Sequence, residues 1–344
     1  MFRKPFTVML LVPTGIKAAI GGYAGDALPV ARAIGSVADI LITHPNVLNG
    51  ASLYWSMPNV LYVEGYAIDR IAMGNWGLRP VHSNRIGIIL DQSIEPELEL
   101  RHRQSIAAAQ ATLGLEITEI ITTDRPLGVQ LQTGESGATW GTIAQPDSLR
   151  RAASKLVDSG RVDSIAVVAR FPDDLDSPAL QAYRHGKGID ALAGAEAVIS
   201  HLITREFKLP CAHAPALLPL PIDPEISPRA AAEELGYTFL PCVLVGLSRA
   251  PQLVTDLKDL RFGDLSANDI DVAIAPATAC GSPALLALGR NDRTRLIFVE
   301  ENTTVLNVTP EALSLQGIRV KNYLESIGVL AALRAGIAPQ SLRA

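Results

Sequence analysis

The chain has 344 residues, 48% of them hydrophobic and 19% charged, and a formal net charge of −5 at pH 7. That size and apolar content build a large core and exclude intrinsic disorder; the length fits two α/β domains or one large one. No Lys/Arg tract stands out, so nucleic acid is not an expected partner.

A basic start, Arg3-Lys4, precedes the apolar run 6–12, which Pro13-Thr14-Gly15 ends. The run reads as a first buried strand rather than a signal peptide. Loop 13–26, helix 27–36 and strand 38–43 follow, then a long polar and aromatic loop, 44–59. Its Tyr54-Trp55, with Tyr62 and Tyr66, reads as packing under that loop. Next come strand 60–63, helix 66–73, strand 86–91, helix 94–113 and strand 116–122. Ser93 is a fitting N-cap for helix 94–113, and Glu95-Pro96-Glu97 suits a first helical turn. Stretch 125–146 is rich in Gly and Thr. Helix 147–159, strand 163–169, helix 190–206, strand 209–213 and helix 228–235 continue the rhythm. Strands 241–246, 271–275 and 296–299 and helix 321–335 complete it. Apolar strands alternating with helices predict an α/β fold: largely parallel or mixed sheets, helices on both faces, two subdomains. The boundaries fall at 1–130 and 146–344, with 131–145 as a Gly-rich connector or active-site loop.

Three separated cysteines, Cys211, Cys242 and Cys280, suggest reduced thiols in a cytosol-like compartment; without a CxxC, a zinc knuckle is not expected. No apolar run reaches the roughly 18 residues that span a bilayer, so no membrane partner is expected.

In open α/β sheets, ligands sit beyond the carboxyl ends of the strands, and polar residues gather there in this chain. His44 follows strand 38–43, and Arg170 and Asp173 follow strand 163–169. Cys280 precedes an apolar helix, where a thiolate is stabilised. Loop 133–142 carries Glu135, Ser136, Gly137 and Thr139, a composition that brings backbone N–H groups close to an anion. It is not a Walker A loop, and loop 13–26 is not a dinucleotide fingerprint. Lys187 lies between two glycines, ahead of Asp190, a natural helix cap. Glu196 sits at the edge of the apolar stripe of Leu192, Ile199 and Ile203, with His201 and Arg205 on the polar face. Cys211 and His213 share one face of a strand. Each has a structural alternative: turn chemistry for the loops, a salt bridge for Glu196, burial for the cysteines. Asp173, Asp174, Glu300 and Glu301 could take a divalent metal, but their spacing does not demand one, and no metal or cofactor is assigned.

Four strings carry a resemblance: 42–50 (ITHPNVLNG), 168–174 (VARFPDD), 210–215 (PCAHAP) and 239–248 (FLPCVLVGLS). They resemble an uncharacterised family, domain of unknown function 3326, associated with cyanobacteria and related lineages. The resemblance covers nearly the whole chain and implies a cytoplasmic or stromal protein. It supplies no activity and no catalytic residues.

The polar set itself points to an enzyme acting on a small polar or anionic molecule, a hydrolase or group-transfer enzyme. Glu196, His213, Asp173 and His44 are the candidate acids and bases, and Cys280 an outside nucleophile. Arg170, Lys187, Glu135, Ser136, Gly137 and Thr139 would hold the anionic part. The alternative is a non-catalytic ligand-binding or regulatory protein using the same crevice; a third reading is a structural subunit. A homo-oligomer is compatible with the sequence, and the expected location is the cytoplasm.

Overall fold

The chain is described by a computed structural model, which covers residues 4–50, 53, 55–172, 177–237 and 240–342. In chain order the elements are β1 (Thr7–Leu10), α1 (Leu28–Val37), β2 (Ile40–Thr43), α2 (Pro45–Leu48), β3 (Val60–Tyr62), α3 (Gly65–Ala72), β4 (Gly77–Arg79), β5 (Ile86–Leu90), α4 (Pro96–Leu113) and β6 (Ile117–Thr122). There follow β7 (Val129–Thr133), β8 (Thr139–Ile143), α5 (Pro146–Asp158), β9 (Ser164–Arg170), α6 (Pro178–Arg184), α7 (Ala193–Phe207), β10 (Cys211–Ala216) and α8 (Pro228–Ala232). The chain closes with α9 (Leu240–Ser248), β11 (Gln252–Val254), β12 (Val272–Pro276), α10 (Pro283–Leu288), β13 (Arg295–Val299), β14 (Ile318–Val320) and α11 (Tyr323–Arg334).

The fold is mixed α/β, as the sequence rhythm predicts. One sheet has six parallel strands in the order β14-β13-β12-β1-β2-β3, and a second has four parallel strands in the order β10-β9-β5-β6. Two short antiparallel ribbons, β4–β11 and β7–β8, lie outside these sheets, and isolated bridges join Leu78 to Leu265 and Ala279 to Val308. The first sheet draws its strands from both ends of the chain, whereas the second lies wholly within residues 86–216. Segment 131–145 is mostly the β7–β8 hairpin.

Alternation along β1 shows why both faces of the first sheet are covered. Val8 and Leu10 enter one apolar core, with Ala31 and Ile34 of α1 and Leu330 of α11. Met9 enters the opposite core, with Ile68 and Ile71 of α3 and Leu285 and Leu288 of α10. The first of these cores also takes Ile86, Ile88 and Leu90 of β5, so the two sheets share it. Beyond β5 a third core holds Ile89, Val167 and Ile199, against α5 and α7.

One expected element changes type. Run 241–246 reads as a strand but is part of helix α9. An unbroken apolar run has no period, so a buried helix and a buried strand look alike in sequence. α9 buries Leu240, Val243, Leu244 and Leu247 in the shared core. A Cβ on Gly246 would stand 2.4 Å from the Tyr62 ring, so the glycine permits that contact. Tyr62 is buried and donates its hydroxyl to Asn49 Oδ1 at 2.8 Å; Tyr54 lies outside the described residues.

Candidate functional site

A cavity of about 690 Å³ opens at the carboxyl ends of strands from both sheets. Pro13 and Thr14 follow β1, His44 follows β2, Glu64 follows β3 and Pro172 follows β9, while His213, Ala214 and Pro215 stand on β10. Helix α7 supplies Glu196, Ala197, Ser200 and His201. Most of the wall is apolar, including Leu131, Leu180, Ile189, Leu192, Leu217, Leu220 and Leu240. The volume lies within the range of small-molecule sites.

The polar groups are positioned by local structure. Glu64 caps α3: its Oε2 accepts from the backbone N–H of Tyr66 at 2.8 Å and of Ala67 at 3.2 Å. Its other oxygen, Oε1, lies 3.1 Å from His201 Nδ1, which also donates to the Ala197 carbonyl at 2.6 Å. Asp190 turns the chain into α7, accepting from the Leu192 N–H at 2.8 Å. Glu233 opens a π-helical turn, Glu233–Tyr237; such turns occur often at functional sites. It accepts the Tyr183 hydroxyl at 2.8 Å, and Tyr183 stacks on Tyr23 with ring centroids 4.2 Å apart. His213 bridges two α7 groups, with Nε2 3.5 Å from Glu196 Oε2 and Nδ1 3.3 Å from Ser200 Oγ. His44 Nε2 donates to the Val12 carbonyl at 2.8 Å, which leaves Nδ1 as an acceptor.

Burial governs the charge states. It pushes the Glu64 carboxyl up to about 8, against the pull of the Ala67, Tyr66 and Gly65 backbone N–H groups. It raises Asp190 to about 7, helped by the neighbouring Glu196 charge. It holds Glu233 well above the ordinary carboxyl range, with Asp190 adding like-charge repulsion. It lowers His44 and His201 to about 4. Near neutral pH Glu64 and Glu233 are therefore held mostly as carboxylic acids, Asp190 is close to its midpoint, and the His44 and His201 imidazoles are uncharged.

Of the residues singled out in sequence, Glu196, His213 and His44 meet in this cavity. Asp190, read as a helix cap, and His201 also line it, whereas the other candidate site residues among those described do not. Arg170 does not line it: its guanidinium donates through Nε and Nη2 to Glu95 at 2.8 and 2.9 Å and through Nη1 to the Phe171 and Ala216 carbonyls. Lys187 is exposed on its turn. Cys280 is buried in the core beneath α10, where burial pushes its thiol up to about 11, so it is no ready nucleophile. Asp173 and Asp174 lie outside the described residues. Glu135, Ser136 and Gly137 form the tip of the β7–β8 hairpin, where Gly137 takes a positive φ of 84°. Thr139 donates its hydroxyl to the Asp190 carbonyl at 2.7 Å. Of the glycines in that loop, Gly141 approaches α7. A Cβ on Gly141 would stand 2.3 Å from Ala195 Cβ, and one on Gly194 would stand 2.2 Å from Trp140 Cα. Glu300 pairs with Arg319 at 2.9 Å, and Glu301 accepts the Tyr323 N–H at 3.1 Å. Among the described residues, no group of three or more His, Cys, Asp or Glu could hold a metal ion.

Sequence reasoning missed Glu64, His201, Glu233 and Tyr183 as lining residues. His201 was assigned to the outer face of its helix, but α3 packs there and supplies Glu64.

A family described as "Protein of unknown function (DUF3326)" matches residues 7–343. The chain belongs to the DUF3326 family. A relative from Synechococcus sp., named "Uncharacterized lipoprotein", is 57% identical to this DUF3326 chain over 342 residues, 99% of this chain and 94% of its own. An ABC transporter solute binding protein from Bacillus halodurans, solved with bound myo-inositol, matches 68% of this chain and 98% of its own at 12% identity and a TM-score of 0.18. A periplasmic solute binding protein from Actinobacillus succinogenes, solved with D-allose, matches 66% and 99% at 13% identity and a TM-score of 0.16. At those scores the two likenesses carry no argument.

Two expectations are corrected. A cytoplasmic location without a membrane partner does not stand beside a relative named a lipoprotein. Nor does the hydrolase or group-transfer enzyme: the relative is named a lipoprotein and its name gives no activity, and the cavity gathers Glu196, His213 and His44 without Cys280, Arg170 or Lys187. Among the described residues, no single helix is long and apolar enough to cross a membrane.

Proposed function

We propose that this DUF3326 protein is a non-catalytic small-molecule-binding protein whose ligand occupies the 690 Å³ cavity. The cavity itself carries the reading: an apolar enclosure with convergent polar groups at strand ends. Ser200, His213 and Glu196 lie in line, as a nucleophile, base and orienting acid would. Yet Ser200 sits in the middle of α7, its hydroxyl 3.4 Å from the Ala197 carbonyl. A helix interior has its N–H groups already bonded, so none stands beside that hydroxyl to stabilise an oxyanion. This supports binding over turnover.

Each sheet with its helices makes one subdomain in this reading, the first assembled from both ends of the chain and the second from residues 86–216, with the cavity between them. The relative's name supports a location at a membrane surface. The three thiols are buried, so the association does not use them. Carbonate-resistant membrane fractionation of the native protein checks this, and recovery wholly in the soluble fraction removes it.

Thermal unfolding against a small-molecule library tests the binding function. A ligand at a hundred times its Kd stabilises the native state by about 2.7 kcal/mol. Stabilisation that is lost in Ala197→Trp, with the compound recovered unchanged, is the expected result. Chemical conversion of the compound, or stabilisation that persists in the filled cavity, refutes the reading.

A further inference from the structure

We propose that the cavity takes an organic cation, a protonated amine or quaternary ammonium carried on an apolar body. This rests on the binding function above and adds the charge of the ligand.

The inference comes from which charges face the cavity and which are already matched. Glu64, Asp190, Glu196 and Glu233 all line it. Among the described residues, none of the four pairs with a lysine or arginine; their partners are backbone N–H groups, imidazoles and a tyrosine hydroxyl. A fifth lining carboxylate, Glu234, is already held by Arg184 at 2.8 Å. Among the described residues the one lining arginine, Arg101, pairs with Glu97 on its own helix at 2.9 Å. Arg170 and Lys187, the cations that could receive an anionic ligand, are not part of the wall.

Among the described residues, an anion placed here would meet four carboxyl groups, and the only basic Lys or Arg side chain on the wall is Arg101. A neutral ligand would leave the acidic groups to be satisfied by protons alone. A cation lets a carboxyl release its proton and form a charge-assisted hydrogen bond within a mostly apolar enclosure, where such a bond is strong. The leucine-rich wall requires that the charge be carried on hydrocarbon, which excludes a bare hydrated ion. Burial supports the same balance: Glu64, Asp190 and Glu233 hold their protons more tightly than ordinary carboxyls, as groups lacking a counter-cation do.

Isothermal titration of the full chain with three near-isosteric probes tests this: tryptamine as cation, tryptophol as neutral alcohol and indole-3-acetate as anion. Tryptamine is expected to bind at least tenfold more tightly than tryptophol, with indole-3-acetate weakest. Glu196→Gln should weaken tryptamine about tenfold and leave tryptophol within twofold. Ala197→Trp, shown by its thermal transition to be folded, should abolish binding of every probe. If tryptophol or indole-3-acetate binds as tightly as tryptamine and Ala197→Trp abolishes it, the cavity binds ligands but the charge inference is wrong. If no probe binds, or if binding survives Ala197→Trp, the charge inference and the cavity reading fall together.

Discussion

Replacing Glu64 by Gln should stabilise the fold, and increasingly so as the pH rises from 5 to 8. Glu64 is 4% exposed, and burial lifts its folded pKa from the ordinary 4.5 to about 8. Below about 4.5 both the folded and the unfolded chain hold the proton, and the residue contributes no pH dependence. Between the two values the unfolded chain has lost the proton and the folded chain keeps it, so wild type loses stability as the pH rises. At 1.36 kcal/mol per pKa unit, this penalty reaches about 3 kcal/mol at pH 7. Glutamine ionises in neither state. Its amide oxygen still accepts the Tyr66 and Ala67 N–H groups, so the cap on α3 survives. Its NH2 group meets His201, which adds an offset that does not change with pH. His201, lowered to about 4, costs stability as the pH falls below 6.5, but it does so in both proteins and cancels in the difference. Urea unfolding of both proteins at pH 5, 6, 7 and 8 measures the slope. A difference that stays flat across that range shows Glu64 ionising in the fold as it does in water, and refutes the reasoning.

Other outcomes follow from the same geometry. Tryptamine should bind more tightly as the pH rises from 6 to 8, because Asp190 (about 7) and Glu64 (about 8) ionise there while the amine keeps its proton; titration calorimetry at four pH values checks this, and a flat affinity contradicts it. All three thiols are buried, so a disulfide reagent at pH 8 should modify the native protein on the order of a hundred times more slowly than the protein in urea. Gly194→Ala forces a Cβ to 2.2 Å from Trp140 Cα and should cost about 3 kcal/mol in urea unfolding, whereas Gly328→Ala, with open space at that position in α11, should stabilise by up to about 1 kcal/mol. Arg170→Ala removes the ion pair with Glu95 and should cost about 1 kcal/mol while leaving tryptamine affinity within twofold; a large loss of affinity would return Arg170 to the site.

The fold was legible wherever a short β-branched run stood between turn residues, as at β1, β5 and β9. It was not legible at α9, where every residue is buried or nearly so and no period survives. The hairpin β7–β8 did leave a trace. Val129, Leu131 and Thr133 alternate with glutamines, but the glycines drew the reading towards a loop. Within the cavity, Glu196 was visible as an acid at the edge of an apolar stripe, and His213 as a histidine on a buried strand. Glu64 drew no attention in sequence, and in the structure it is the cap of α3. Only the packing of α3 on α7 sets it against His201. Arg170 was less legible: it stands at a strand end as read, but the direction its side chain takes depends on partners such as Glu95, which lies on a different element.

The order of strands in the larger sheet also bears on how the chain is made. β1 needs β12 beside it, with Val8 opposite Val272, so the middle of that sheet stays open until nearly the whole chain has left the ribosome. The four-stranded sheet has all its partners within residues 86–216 and closes while β1, β2 and β3 still carry an unpaired edge. Such long-range pairing makes for slow folding and a period of exposed strand edge. A truncation before residue 272 would strand that edge permanently, and aggregation rather than a stable half-protein is the expected product.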